Sequence, residues 1–192
     1  MITSKKEYKE YLKADKKARE IDDSFKGKLK HILYTDPTWK FQKKLRKVEY
    51  YQNCKKGLIN KIIYFILLYR FKKYSIKLGF SIPPNAFGSG LAIPHYGTIV
   101  INSKTKIGKN CRIHVCVNIG AAGGNPEAPQ IGDNVYIGPG TKIYGNIKIG
   151  NNIAIGANST VNKSFEEENI FIAGSPAKKI KEFDIKNIIK HI

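Results

Sequence analysis

IGDNVYIGPGTKIYGNIKIGNNIAIGANSTV, residues 131–161, sets an aliphatic side chain at every sixth place: Ile131, Ile137, Ile143, Ile149, Ile155 and Val161. The same phase runs upstream through Ile101, Ile107, Ile113 and Ile119. Gly follows the aliphatic residue at Gly108, Gly120, Gly132, Gly138, Gly150 and Gly156, and a small or β-branched residue recurs four places on, as in Thr105, Cys111, Val117, Val135, Thr141 and Ser159. Neither a helix, with its period of about 3.6, nor an alternating strand holds a six-residue phase. The period fits short parallel strands joined by turns, three to a coil of about 18 residues, each aliphatic residue stacking on its equivalent in the next coil. The expected product is a parallel β-helix.

Between Ile119 and Ile131 the phase breaks at GAAGGNPEAPQ, whose Gly and Pro cannot continue a strand ladder. This stretch reads as a loop extruded from a rigid solenoid, the kind of place where sites are built. The stretch GSGLAIPHYGTIV, leading into the repeats, is irregular as well.

Upstream of the repeats the composition changes. Residues 1–80 hold 22 basic and 8 acidic side chains, and only three of the 17 glycines, Gly27, Gly57 and Gly79. Runs of Lys, Glu, Tyr and Leu, with Tyr8, Tyr11 and Leu12 at helical spacing, predict helices with a break at Asp36-Pro37. The organisation expected is therefore a Lys-rich helical region over 1–80, a β-helix over 81–172, and a closing turn with a short helix over 173–192. The longest uncharged apolar run, IIYFILLY at 62–69, falls far below the roughly 18 to 20 residues that span a bilayer. Its basic flanks, Lys61, Arg70, Lys72, Lys73 and Lys77, suit a helix lying on an anionic membrane surface. Being apolar nearly all round, it reads first as a helix packed on the rest of the fold or on a neighbouring subunit.

The formal charge of +19 asks for anionic ligands, anionic surfaces or a lysine-rich composition. Three cysteines, Cys54, Cys111 and Cys116, make neither an even disulfide framework nor a paired metal-binding pattern, which predicts reduced thiols. The charged N-terminus lacks the apolar centre of a signal peptide, so the expected location is the cytoplasm, with peripheral membrane contact through the basic region as an option.

From about Ser81 to Ile180 the chain resembles the hexapeptide-repeat acyltransferases, and within them the serine acetyltransferase-like branch. The segments LAIPHYGTIVIN, IGKNCRIHVCVNIG, residues 131–161 and the closing AGSPAKKI carry the resemblance, in that order. It implies left-handed parallel β-helices assembled as homotrimers, with acetyl-CoA as acyl donor in the groove between subunits, no metal, and an imidazole acting at that groove. His95 falls where such enzymes carry their catalytic histidine. An alcohol must lose its proton as its oxygen attacks a thioester, and an imidazole titrating near neutrality can accept it. Backbone N–H groups around Gly120 are candidates for stabilising the oxyanion. For the donor, the resemblance implies backbone contacts at the small residues Gly138, Pro139, Ala157 and Ala173, and cations for the phosphates at Lys163, Lys178 and Lys181.

The acceptor side departs from the serine enzymes. Their aspartates at the catalytic coil correspond to Pro94 and approximately Ser81, and their carboxylate-holding Arg and His correspond to Glu127 and Ala128. No Asp or Glu stands between Tyr50 and Pro126, so a backbone carbonyl or a distant carboxylate must orient His95. With Ser81, Glu127 and a groove-lining His114 on the acceptor side, a sugar hydroxyl in surface-polysaccharide synthesis is the expected acceptor, and free L-serine is the alternative. His31 and His191 have no motif context. A metal enzyme of carbonic-anhydrase type would need three histidine ligands, and the repeats hold only His95 and His114. A polyanion- or membrane-surface-binding module is supported by charge alone. No nucleic-acid-recognition motif is present, so nucleic acid is not an expected partner.

Overall fold

A computed structural model describes residues 1–22, 24 and 36–192, which leaves His31 outside the described residues. Among the described residues three helices come first: α1 (Lys5–Ala18), α2 (Pro37–Cys54) and α3 (Leu58–Leu78). Asp36 and Pro37 do begin a helix. The Asp36 carboxylate accepts from the N–H groups of Thr38 and Trp39 at 2.9 and 3.0 Å, and Pro37 occupies the first turn, where its missing N–H costs nothing. Helix α3 ends at Gly79, whose φ of 76° terminates it in a left-handed turn.

The repeats then wind into three parallel sheets. The first holds β1 (Phe80–Ser81), β2 (Ile99–Ile101), β5 (Val117–Gly120), β8 (Lys142–Tyr144) and β11 (Thr160–Val161). The second holds β3 (Lys106–Ile107), β6 (Gln130–Ile131) and β9 (Lys148–Ile149). The third holds β4 (Arg112–Ile113), β7 (Tyr136–Ile137), β10 (Ile153–Ile155) and β12 (Ile170–Gly174), and is closed by the antiparallel β13 (Ala177–Glu182). Register puts equivalent positions in line: Ile113 pairs with Ile137, Ile137 with Ile155, and Ile155 with Ile172. All four are fully buried, each contributing roughly 1.5–3 kcal/mol of burial. Thr105, Thr141 and Ser159 fill the four-on slot and are equally buried; the Thr141 and Ser159 hydroxyls donate to the carbonyl of Gly138 and of Gly156 respectively.

One corner is reinforced by a ladder that the six-residue reading did not anticipate. Asn110, Asn134 and Asn152 sit at φ between 55° and 57°. The amide of Asn110 donates to Asn134 and that of Asn134 to Asn152, both at 2.8 Å. Asparagine tolerates the left-handed region better than other side chains with a Cβ, and its amide links one coil to the next.

The two ends of the solenoid are closed differently. The far end is closed by the β12–β13 hairpin followed by a short 3₁₀ helix, Ile185–Asn187, so the closing segment is a strand before it is a helix, and β12 runs across the expected 172/173 boundary. At the near end, helical side chains take up backbone groups that the first coil exposes. Asp15 accepts from the N–H of Gly90 and of Leu91, each at 2.9 Å, and Arg46 donates to the carbonyls of Phe87 and Gly88. Glu49 accepts from Asn85 N–H at 2.8 Å, and Gln42 donates to the Leu91 carbonyl at 2.6 Å. Phe41 packs on Phe80 and Phe71, with ring centroids 4.8 and 5.3 Å apart, and joins the helices to the same core. The edge that a parallel sheet would otherwise leave open is thus covered by helix.

Within one chain, helix α3 is covered on one face only. Its Phe71, Ser75 and Leu78 are buried and Tyr64, Leu67 and Leu68 pack on the core, while Phe65, Ile66 and Tyr69 point outward. Among the described residues no helix is long and apolar enough to cross a membrane.

Candidate active site

His95 lies on the connection from the third sheet to the first, and the helical region holds that connection from both sides. The Ile93 carbonyl accepts from the Arg19 guanidinium, which also pairs with Asp36, and Ile93 N–H approaches Gln42 at 3.4 Å. Two residues past His95, Gly97 N–H donates to the Leu78 carbonyl at 3.1 Å. The ring itself is exposed, and among the described residues its nitrogens make no hydrogen bond. What faces it is His114, with ring centroids 6.1 Å apart. His114 is half-buried against Tyr136 at 5.3 Å. Burial first, then the charge of Arg112 and His95, pushes its pKa below the ordinary imidazole value, which favours a neutral ring.

Because Ile113, Ile137, Ile155 and Ile172 are in register, the residues after them, His114, Gly138, Gly156 and Ala173, form a column along the same corner. Their backbones are stitched by His114 N–H to Ile137 O at 3.1 Å, Gly138 N–H to Ile155 O at 2.9 Å and Gly156 N–H to Ile172 O at 2.8 Å. Pro139 is half-exposed, Ala157 is exposed and Ala173 half-buried, so small residues follow His114 along this strip, with the Phe171 ring reaching in at Gly156. Lys178 pairs with Ala173 and borders this strip.

Gly138 must be glycine for the coils to stack. It is buried, and a Cβ there would lie 2.8 Å from the backbone of Ala157 and of Ile155. Its demand is coil stacking. Gly138→Ala is therefore expected to cost about 1–3 kcal/mol as overpacking, read as a drop in thermal unfolding temperature.

The remaining candidates stand elsewhere. Gly120 ends the first-sheet strand β5, and Glu127 and Lys163 follow that sheet, at the corner leading to the second, where residues 121–129 form the extruded loop. Ser81 is exposed on the first sheet, paired with Val100. Glu127 makes an ion pair with Lys104 at 2.8 Å, and Ala128 is buried. Lys163 and Lys181 lie over the rings of Phe165 and Phe183 at 5.4 and 5.9 Å. One chain thus gathers His95, His114, the small-residue strip and Lys178 at one corner, and Gly120, Glu127 and Lys163 at another. Cys111 is buried, and burial pushes its thiol far above the ordinary value; Cys116 is exposed at a left-handed turn with φ of 61°. The Ile93 anchor formed by Arg19 and Gln42 was not legible in sequence, because its partners lie 74 and 51 residues away.

A solenoid with this coil order, carrying an imidazole at one corner, defines a hexapeptide-repeat protein of the left-handed β-helix class. The family described as bacterial transferase hexapeptide (six repeats) matches residues 128–163. Residues 128–163 thus carry the repeat that this family model describes. Serine acetyltransferase from Staphylococcus epidermidis is 37% identical over 132 residues, covering 59% of this chain and 62% of that protein. The Staphylococcus aureus serine acetyltransferase is 38% identical over 111 residues, 56% of this chain and 52% of its own length. The chain therefore spans less than two thirds of these relatives. Among solved structures, serine acetyltransferase from Brucella abortus superposes with a TM-score of 0.73 at 27% identity, covering 94% of this chain and 71% of that one. The Neisseria gonorrhoeae enzyme gives 0.70 at 28%, covering 93% and 68%. All four of these similar proteins are serine acetyltransferases.

Proposed function

We propose that the protein is an acetyl-CoA-dependent O-acetyltransferase of serine acetyltransferase type, with His95 as general base. The observation that carries this reading is the exposed His95 ring at the head of a strip of small residues, on a fold shared with serine acetyltransferases. The acceptor hydroxyl gives its proton to the His95 imidazole as its oxygen bonds to the thioester carbon. The tetrahedral intermediate then collapses with cleavage of the carbon–sulfur bond, and the imidazolium returns the proton to the departing CoA sulfur. Pro139, Ala157 and Ala173 leave room for the donor's arm, and Lys178 beside Ala173 offers a cation for a phosphate.

The division of candidate residues between two corners supports a homotrimer with the donor in the groove between subunits, one corner of each chain meeting the other corner of its neighbour. L-serine is the acceptor that the relatives favour. A glycan hydroxyl remains a second reading because Glu127 pairs with Lys104 and Ala128 is buried, so neither offers a cation to an amino-acid carboxylate. A cytoplasmic location accompanies either reading.

Thiol release from acetyl-CoA with L-serine and with a panel of sugar nucleotides separates the acceptors. Release with L-serine alone makes the chain a serine enzyme, release with sugars alone a glycan enzyme, and silence with both removes the acyltransferase reading. Ala157→Glu probes the donor strip: at an exposed position it is expected to leave stability within about 0.5 kcal/mol, while its carboxylate weakens acetyl-CoA binding by at least tenfold, measured by calorimetry.

A further inference from the structure

On a helix that turns about 100° per residue, Ile59, Ile62, Phe65, Ile66, Tyr69 and Ile76 of α3 share one face, opposite the buried face of Phe71, Ser75 and Leu78. These six outward side chains are between 53% and 80% exposed. An exposed apolar stripe of this size on a surface marks a binding face. Lys61 and Lys72 border it on one side, Arg70 and Lys77 on the other, and Lys73 lies within it; all five are exposed. At the C-terminal end, Lys72 and Ile76 also line an apolar pocket of about 440 Å³ with Phe80, Ile82, Pro83 and Ile101. We propose that this face of α3 docks on an anionic lipid bilayer, the apolar stripe entering the headgroup boundary and the bordering cations meeting lipid phosphates and carboxylates.

Charge selects this occupant. From Tyr50 to Pro126 the chain holds no carboxylate, so the same stripe of a second copy would set cations against cations. An anionic bilayer satisfies both components at once, because the long Lys and Arg stems lie along the apolar boundary while their heads reach the lipid headgroups. The pocket continues the stripe inward and offers space for an acyl chain. The inference does not depend on acyl transfer.

Sedimentation of the full chain with phosphatidylcholine vesicles, with and without phosphatidylserine, tests it. Binding is expected to the mixed vesicles and to weaken with salt. Lys72→Gln and Lys73→Gln should each lower it about fivefold. Phe65→Asp with Ile66→Asp should abolish it with circular dichroism unchanged, since both side chains are exposed. Failure to bind the mixed vesicles overturns the proposal, as does binding indifferent to these variants. A change of oligomeric state in the Asp variant, by light scattering, with vesicle binding unaltered, would show that another copy covers the face.

Discussion

Replacing His95 by alanine is expected to slow thiol release from acetyl-CoA by about a hundredfold to ten-thousandfold, the usual contribution of a positioned general base. Acetyl-CoA binding and unfolding temperature should hardly change. The ring is exposed, so its removal opens no cavity in the core. The connection that carries it is fixed through the backbone of Ile93 and Gly97, held by Arg19, Gln42 and Leu78, and none of these contacts involves the imidazole. Loss of turnover together with loss of stability would contradict this separation. His114→Ala is the contrast. Its ring is half-buried against Tyr136, whereas His95 is exposed, and its loss should cost turnover far less. A stopped assay with saturating donor, run on both variants, distinguishes them; equal losses would make the two histidines a single unit.

The β-helix was legible because a solenoid writes its geometry into a fixed period: each coil repeats the same environment, and Ile at every sixth place reports it directly. The extruded loop was legible for the converse reason, since Gly and Pro interrupt a ladder wherever they cluster. His95 stood out through the motif around it, whereas the Ile93 anchor joins residues far apart in sequence and leaves no local pattern. The same holds for the near-end cluster: Asp15, Arg46 and Glu49 look like ordinary members of charged helices until tertiary structure buries them. The stacking demand at Gly138 was not legible, because sequence does not say whether a missing Cβ would face a ligand or the next coil. Helix α3 could not be resolved by hydropathy, since a helix apolar on both faces gives no moment to say which face the protein covers.

Asp15→Ala is expected to cost about 3–5 kcal/mol, the penalty for leaving a buried ionic partner uncompensated. Arg46 and Asp15 are fully buried and Glu49 nearly so. Arg46 pairs with Asp15 at 2.8 Å and with Glu49 at 3.0 Å. Burial opposes the guanidinium's charge, and the two carboxylates more than offset it, so its pKa lies above the ordinary value. Removing Asp15 also strips the acceptor from the N–H groups of Gly90 and Leu91, two buried donors that water does not reach. The loss should therefore appear at the junction between helices and solenoid. Asp15→Asn keeps an acceptor oxygen for both N–H groups while giving up the charge and the acceptor that Arg46 Nε–H uses, so it should lose less than the alanine variant. Urea unfolding followed by far-ultraviolet circular dichroism measures both. Equal losses would assign the effect to the ion pair alone. A smaller loss for Asn would assign the remainder to the closing of the first coil, which makes the basic helical region the cap that the near end of the β-helix requires.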